Sequence, residues 1–162
     1  MSAAPWTVEL ADEEATLAFG RRLAAHLQAG DCVGLIGTLG SGKTTLCRGL
    51  GEGLGCAQGL RSPTYLLCHE AQGRLDILHL DAYFEERMEG LLLDGLAARF
   101  DHQHLLLIEW ADRLASWWPE DRLSLHLEAR EPAGRSLSLT AAGPRSQAVL
   151  EALQAEEGVS RA

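Results

Sequence analysis

Eight residues constrain this chain more than any other stretch. Positions 37–44 read GTLGSGKT, a full match to G-x-x-x-x-G-K-[ST]. An apolar run, CVGLI, precedes them and a helical stretch, TLCRGLGEGL, follows. Glycine accepts backbone angles that other residues resist, so successive N–H groups can turn into one concave nest. The start of the next helix adds the positive end of its dipole. Such a loop holds the β-phosphate of a nucleotide. Lys43 sets a compact charge between the β- and γ-phosphates, and it is the single lysine beside thirteen arginines. A planar guanidinium would fit that nest less well. Thr44 offers its hydroxyl to Mg²⁺. The predicted phosphate contacts are therefore Leu39, Gly40, Ser41, Gly42, Lys43, Thr44 and Thr45.

A loop of this kind sits between a buried strand and a helix, and the rest of the chain agrees. Trp6 to Leu10 alternates as a short strand. Asp12 offers an N-cap, and Ala15, Phe19, Leu23 and Leu27 recur on one helix face, with Gly30 as the expected stop. Residues 32–36 are a continuous apolar run, and 104–109 form a second buried strand that is apolar until it ends in a carboxylate, the pattern of strands covered on both faces. Residues 65–70 and 75–80 read as a hairpin around a glycine-containing turn. Residues 84–100 read as helix, broken near Gly95. Residues 122–128 and 135–140 alternate strictly, as antiparallel strands with one wet face do, and a short helix at 147–154 closes the chain. The expected fold is α/β, with parallel strands at the centre and antiparallel ones added.

A phosphate loop also needs a carboxylate near its metal, at the end of a neighbouring buried strand. HLLLIE ends in Glu109, which either ligates Mg²⁺ or is a solvated strand-end glutamate. Asp76 and Asp81 flank the other strand, and Asp81 in HLDAY is the better placed. It either serves the Mg²⁺ water shell or the attacking water, or it caps the next helix. Trp110 either lies against the nucleotide or fills the core. The guanine-reading N-K-x-D pattern needs a second lysine, so ATP is favoured by elimination.

Composition narrows the partners. Net charge is −9 and the isoelectric point is about 5.1. An acidic surface is poorly suited to direct contact with nucleic-acid backbone, although acidity also aids solubility. No apolar run approaches the ~20 residues of a membrane helix, and no basic-then-apolar leader is visible at the N-terminus. Four cysteines without a CxxC pair read as reduced thiols in a cytoplasm. No repeat or linker divides the 162 residues, so one domain is expected over 1–162. Its expected parts are a strand and helix at 5–30, a phosphate-loop core at 31–118, and antiparallel strands with a short helix at 119–162.

GTLGSGKTTLCRGL, RSPTY, HLDAY and LIEW, in this order and spacing, resemble the TsaE (YjeE) family, the ATPases of bacterial tRNA N6-threonylcarbamoyladenosine biosynthesis. Thr16, Gly20 and Gly134-Arg135 are weaker echoes. The resemblance implies a P-loop NTPase-like three-layer fold and an ATP-hydrolysing, Mg²⁺-dependent subunit. It implies that Thr64, in the first switch, lies near the γ-phosphate, that Asp81 belongs to the second switch, and that Glu109 is the Walker B residue. Arg135 would reach the nucleotide. TsaD and TsaB would be the partners, and tRNA would be served only through them. Three positions depart from the family: Thr38 stands where Asp is usual, Phe84 replaces an arginine, and Ala111 replaces a common proline. Two other classes remain, a small-molecule kinase and a nucleotide-gated module that hydrolyses little. An arginine-rich lid, expected of such a kinase, is not evident after Glu109.

Overall fold

The two continuous apolar runs form the middle of a sheet, and the alternating runs form its flanks. A computed structural model of the chain describes residues 4–56, 60, 67–114 and 117–161. The strands are β1 (Trp6–Leu10), β2 (Cys32–Ile36), β3 (Cys68–Gln72), β4 (Asp76–Asp81), β5 (His104–Glu109), β6 (Leu123–Arg130) and β7 (Gly134–Ala141). The helices are α1 (Glu13–Ala24), α2 (Lys43–Gly53), α3 (Glu85–Leu93) and α4 (Pro144–Arg161), with 3₁₀ turns at Leu96–Arg99 and Ala111–Arg113. The strand order is β1-β7-β6-β2-β5-β4-β3. β4, β5, β2 and β6 run parallel, while β3, β7 and β1 pair antiparallel at the flanks.

The period of two in a strand explains why β5 is apolar at every position from Leu105 to Ile108. Leu105 and Leu107 face one core with Phe19, Leu23, Leu46, Leu50, Val149 and Leu153, from α1, α2 and α4. Leu106 and Ile108 face the other core, with Met88, Leu92 and Leu114. Helices cover both faces, so neither set can be polar. α1 and α2 touch backbone to backbone at Gly20 and Gly49. A Cβ on Gly20 would lie 2.6 Å from the Leu46 carbonyl oxygen, and one on Gly49 would lie 2.3 Å from that of Leu17. This close approach fixes where α2, and hence the loop that feeds it, stands against the sheet.

Element types follow the sequence, and boundaries differ at two helices. Asp12 caps α1, its Oδ1 accepting from the Ala15 N–H at 2.8 Å. The helix ends at Ala24, short of the predicted Gly30. Hydrogen bonds from Ala25, His26 and Leu27 to residues three back tighten the chain into a turn instead. Gly30, at φ 92°, then points its N–H to the His104 carbonyl, 2.9 Å away. α4 is much longer than the predicted 147–154. Its start is fixed by Asp121, whose carboxylate accepts from the Arg145 and Ser146 N–H groups at 2.8 and 2.9 Å. The hairpin appears as β3 and β4; residues 65 and 66 of its predicted first strand lie outside the described residues. All four cysteines are unpaired. Among the described residues, no helix is long and apolar enough to cross a membrane.

Candidate active site

The loop at 37–44 leaves β2 at Gly37 and enters α2 at Lys43. Gly40 and Gly42 take φ of 78° and 107°, a region that L side chains avoid. That is the local reason for their spacing. Lys43 is buried, and its Nζ donates to the carbonyls of Gly37 (2.5 Å) and Thr38 (2.9 Å) and lies 3.4 Å from Ser41 Oγ. Burial pushes its pKa below the usual lysine value, while the charges of Glu109 and Asp81 work the other way. The ammonium also sits 4.2 Å from the centre of the Trp110 ring.

Parallel pairing of β4 with β5 sets Asp81 directly beside Glu109. Both carboxylates are buried, and both lie at the ends of their strands next to the loop. Glu109 is 3% exposed, so it is not a solvated strand end. Asp81 does not cap α3: that helix starts after Phe84 without a side-chain cap, and Asp81 Oδ1 instead accepts from the Tyr83 N–H at 2.8 Å. Asp76 is exposed at the opposite end of β4, away from the loop. Trp110 packs on both sides. It borders the second core and also faces the loop, at φ 57°.

These residues enclose a cleft of about 400 Å³ lined by Leu39, Gly40, Gly42, Lys43, Thr44, Thr45, Asp81, Glu109, Trp110 and Arg135. Ser41 lies buried beneath it. Arg135 comes from the start of β7, and its Nη2 donates to the Gly40 carbonyl at 3.2 Å. Thr64 and the rest of SPTY lie outside the described residues.

One residue at the site carries no predicted role. His79, on the same face of β4 as Asp81, is fully buried with its Nε2 2.8 Å from Glu109 Oε2. Among the described residues its Nδ1 has no hydrogen-bond partner. A histidine two residues before a candidate metal carboxylate, inside an apolar strand, is the sequence signal that marks it.

The donor set fits a hard cation. Thr44, Asp81 and Glu109 present oxygen to the cleft, as Mg²⁺ prefers. Cys47, His79 and Glu109 also lie within 4.8 Å of one another, but all three are buried. Burial pushes the Cys47 thiol well above its usual pKa, so this group is poorly prepared to bind a metal as thiolate.

A family model described as "Threonylcarbamoyl adenosine biosynthesis protein TsaE" matches residues 10–137. The chain is 34% identical to the Bacillus subtilis tRNA threonylcarbamoyladenosine biosynthesis protein TsaE over 149 residues, 91% of this chain and 92% of that protein. It is 40% identical to the Streptomyces coelicolor TsaE over 116 residues, 67% of this chain and 76% of that one. The crystal structure of Bacillus subtilis YdiB superposes with a TM-score of 0.79 at 30% identity, covering 97% of this chain and 98% of that one. The fold is thus that of a P-loop NTPase, with a mixed sheet between helical layers.

Proposed function

Because the chain belongs to the TsaE family, we propose that it binds and hydrolyses ATP in support of tRNA threonylcarbamoyladenosine (t6A37) modification, working through a TsaB–TsaD complex. One observation carries the reading: Lys43, Asp81 and Glu109, distant in sequence, line one cleft at the mouth of a complete phosphate loop.

The loop N–H groups and Lys43 hold the β- and γ-phosphates. Thr44 and Glu109 would hold Mg²⁺, which would neutralise charge on the phosphate oxygens. His79 keeps the Glu109 carboxylate in place through its hydrogen bond. Asp81 orients the attacking water, and the γ-phosphoryl group passes from ATP to that water, releasing ADP and phosphate. Thr64 acts near the γ-phosphate. The acidic chain meets tRNA through its protein partners rather than directly, and acts as one cytoplasmic domain.

ATP turnover by the purified protein, alone and with a TsaB–TsaD complex, tests this. Turnover that rises with the complex is expected, together with tighter partner binding in ATP than in ADP. Equal partner affinity with ATP, ADP and no nucleotide would remove the coupling. A phosphorylated small molecule among the products would point to a kinase instead.

A further inference from the structure

Arg113 does not line the phosphate cleft, yet it touches both chain segments that leave the cleft's carboxylates. Its guanidinium carbon lies 4.8 Å from the centre of the Tyr83 ring and 4.9 Å from that of Trp110. Its Nη1 donates to the Tyr83 carbonyl at 2.6 Å. We infer that Arg113 is a positioning residue for ATP hydrolysis. It clamps the segment after Asp81 to the segment after Glu109, a role that rests on the ATPase reading above.

The sheet creates the need for a clamp. β4 and β5 are paired as far as Asp81 and Glu109, and the Ala82 N–H bonds the Glu109 carbonyl at 3.0 Å. After that rung the two chains part. One enters α3 after Phe84, and the other enters the 3₁₀ turn Ala111–Arg113. Carboxylates on the last rung of a ladder are only as fixed as the chain beyond them. Arg113 ties the two exits together. Its own N–H bonds the Trp110 carbonyl at 3.0 Å, which anchors it to the β5 exit. Its side chain reaches 30 residues back in sequence to the β4 exit.

Two rings and one carbonyl grip the guanidinium. Tyr83 and Trp110 meet edge to face, their centres 5.0 Å apart at 70°. A cation near both rings is attracted by their π-systems, and more strongly where water is partly excluded. Arg113, Tyr83 and Trp110 are all half-buried. The charge-assisted bond to the carbonyl then fixes the direction of the side chain.

Each jaw of the clamp reaches a group at the site. Tyr83, gripped by its ring and its carbonyl, donates its N–H to Asp81 Oδ1 at 2.8 Å and so aims that carboxylate. The Trp110 ring lies 4.2 Å from the Lys43 ammonium. Trp110 also holds φ at 57°, a conformation that an L residue keeps where its surroundings over-determine it. Arg113 supplies part of that constraint. It thus acts on Asp81 through Tyr83 and on Lys43 through Trp110. Lys43 has the Gly37 and Thr38 carbonyls as further holds, so nucleotide binding depends on the clamp less than the hydrolytic rate does.

Arg113→Leu removes the charge and the donor while keeping apolar contact with the rings. Single-turnover hydrolysis and calorimetry with Mg·ATP are the measurements, made on the same sample. The rate should fall about tenfold, because small displacements of an orienting group are costly. ATP affinity should stay within about threefold of the unaltered chain, the split expected of an effect on the chemical step. Arg113→Lys, which keeps a cation and a donor, should regain most of the lost rate. Fluorine NMR of fluorotryptophan-labelled protein gives a readout independent of activity. The Trp110 resonance, identified by its loss in Trp110→Phe, should move in Arg113→Leu. That of Trp6, on β1 at the far edge of the sheet, should keep its place. A rate within about twofold of the unaltered chain overturns the inference. So does a lysine variant as slow as the leucine variant, or an unmoved Trp110 resonance. A Trp6 resonance that moves as well overturns it too, because the substitution then disturbs the fold at large. Failure of the unaltered chain to bind and turn over Mg·ATP sinks the ATPase reading, and the clamp with it. Normal binding and turnover that Arg113→Leu leaves untouched sinks the clamp alone.

Discussion

Where β2, β5 and β6 begin, the buried charges are paired; where β2, β4 and β5 finish, they are gathered. At the starting end, Asp31 is held by Arg145 through two bonds of 3.0 Å and by the Gln28 N–H at 2.9 Å. Arg145 also donates to the His26 carbonyl at 2.6 Å. A cavity of about 240 Å³ opens there too, between Leu27, Asp31, Asp121 and Arg145. Its charged groups are spent on each other and on the start of α4. At the finishing end, Asp81, Glu109 and Lys43 surround a larger space, and His79 Nδ1 lacks a partner among the described residues. Burying charge without full local compensation costs stability, and it persists where a ligand completes it. On the proposed function, one end of the sheet stabilises the fold and the other binds the ligand. In open α/β sheets ligands bind outside the carboxyl ends of the strands, which is the end described here.

Substitutions at the two ends should separate cleanly. The largest effect is expected at Glu109→Gln, which keeps the shape and a bond to His79 but removes the charge. ATP turnover should fall by about 10²–10³-fold, with nucleotide affinity changed far less. Turnover near that of the unaltered protein would transfer the metal role to Asp81. Lys43→Ala comes next. Loss of a charge-assisted phosphate contact should cost about 2–3 kcal/mol of ATP binding. Thermal stability should hold or rise, because a buried ammonium is gone. A folded variant with unimpaired ATP affinity would end the loop assignment.

At the other end the pattern should invert. Arg145→Ala should lower stability by about 2 kcal/mol, less than for a fully buried pair because the guanidinium is partly exposed. ATP affinity should not move. Urea unfolding and calorimetry on the same sample decide this, and a joint loss would mean that the two ends are coupled. The smallest effect belongs to Asp121. Burial alone would raise its pKa, but hydrogen bonds from Ser146 and the Arg145 N–H bring it below the ordinary aspartate value. A carboxylate lowered on folding stabilises the fold above its unfolded pKa, and that contribution is lost as pH falls through the lowered folded value. Asp121→Asn should therefore cost about 1 kcal/mol near neutral pH. The difference from the unaltered chain should shrink in acid. A gap that stays constant from neutral pH to below the carboxylate range would show that the charge of Asp121 is not what caps α4.

Whatever depends on neighbours along the chain is legible in its residues alone. The phosphate loop is eight consecutive residues whose glycines and lysine act through local backbone geometry, so its pattern is its structure. The alternation of β6 and β7 and the unbroken apolar runs of β2 and β5 likewise report covering on one face or two. Whatever depends on register and on long-range caps is set only once the sheet is assembled. Asp81 meets Glu109 because two strands pair at one register, and a shift of a single residue would turn a carboxylate to the other face. His79 gains its role only through that pairing: its place inside an apolar strand marks it in the chain, but its partner Glu109 lies 30 residues away. α4 starts where Asp121, more than twenty residues earlier, reaches its first N–H groups. α1 stops at Ala24 because the chain must turn to bring Gly30 to His104. The joining of Arg135 to the loop through the Gly40 carbonyl has the same origin. Hydrogen bonds within a few residues are written in the sequence, while bonds across the sheet exist only after the strands have chosen their neighbours.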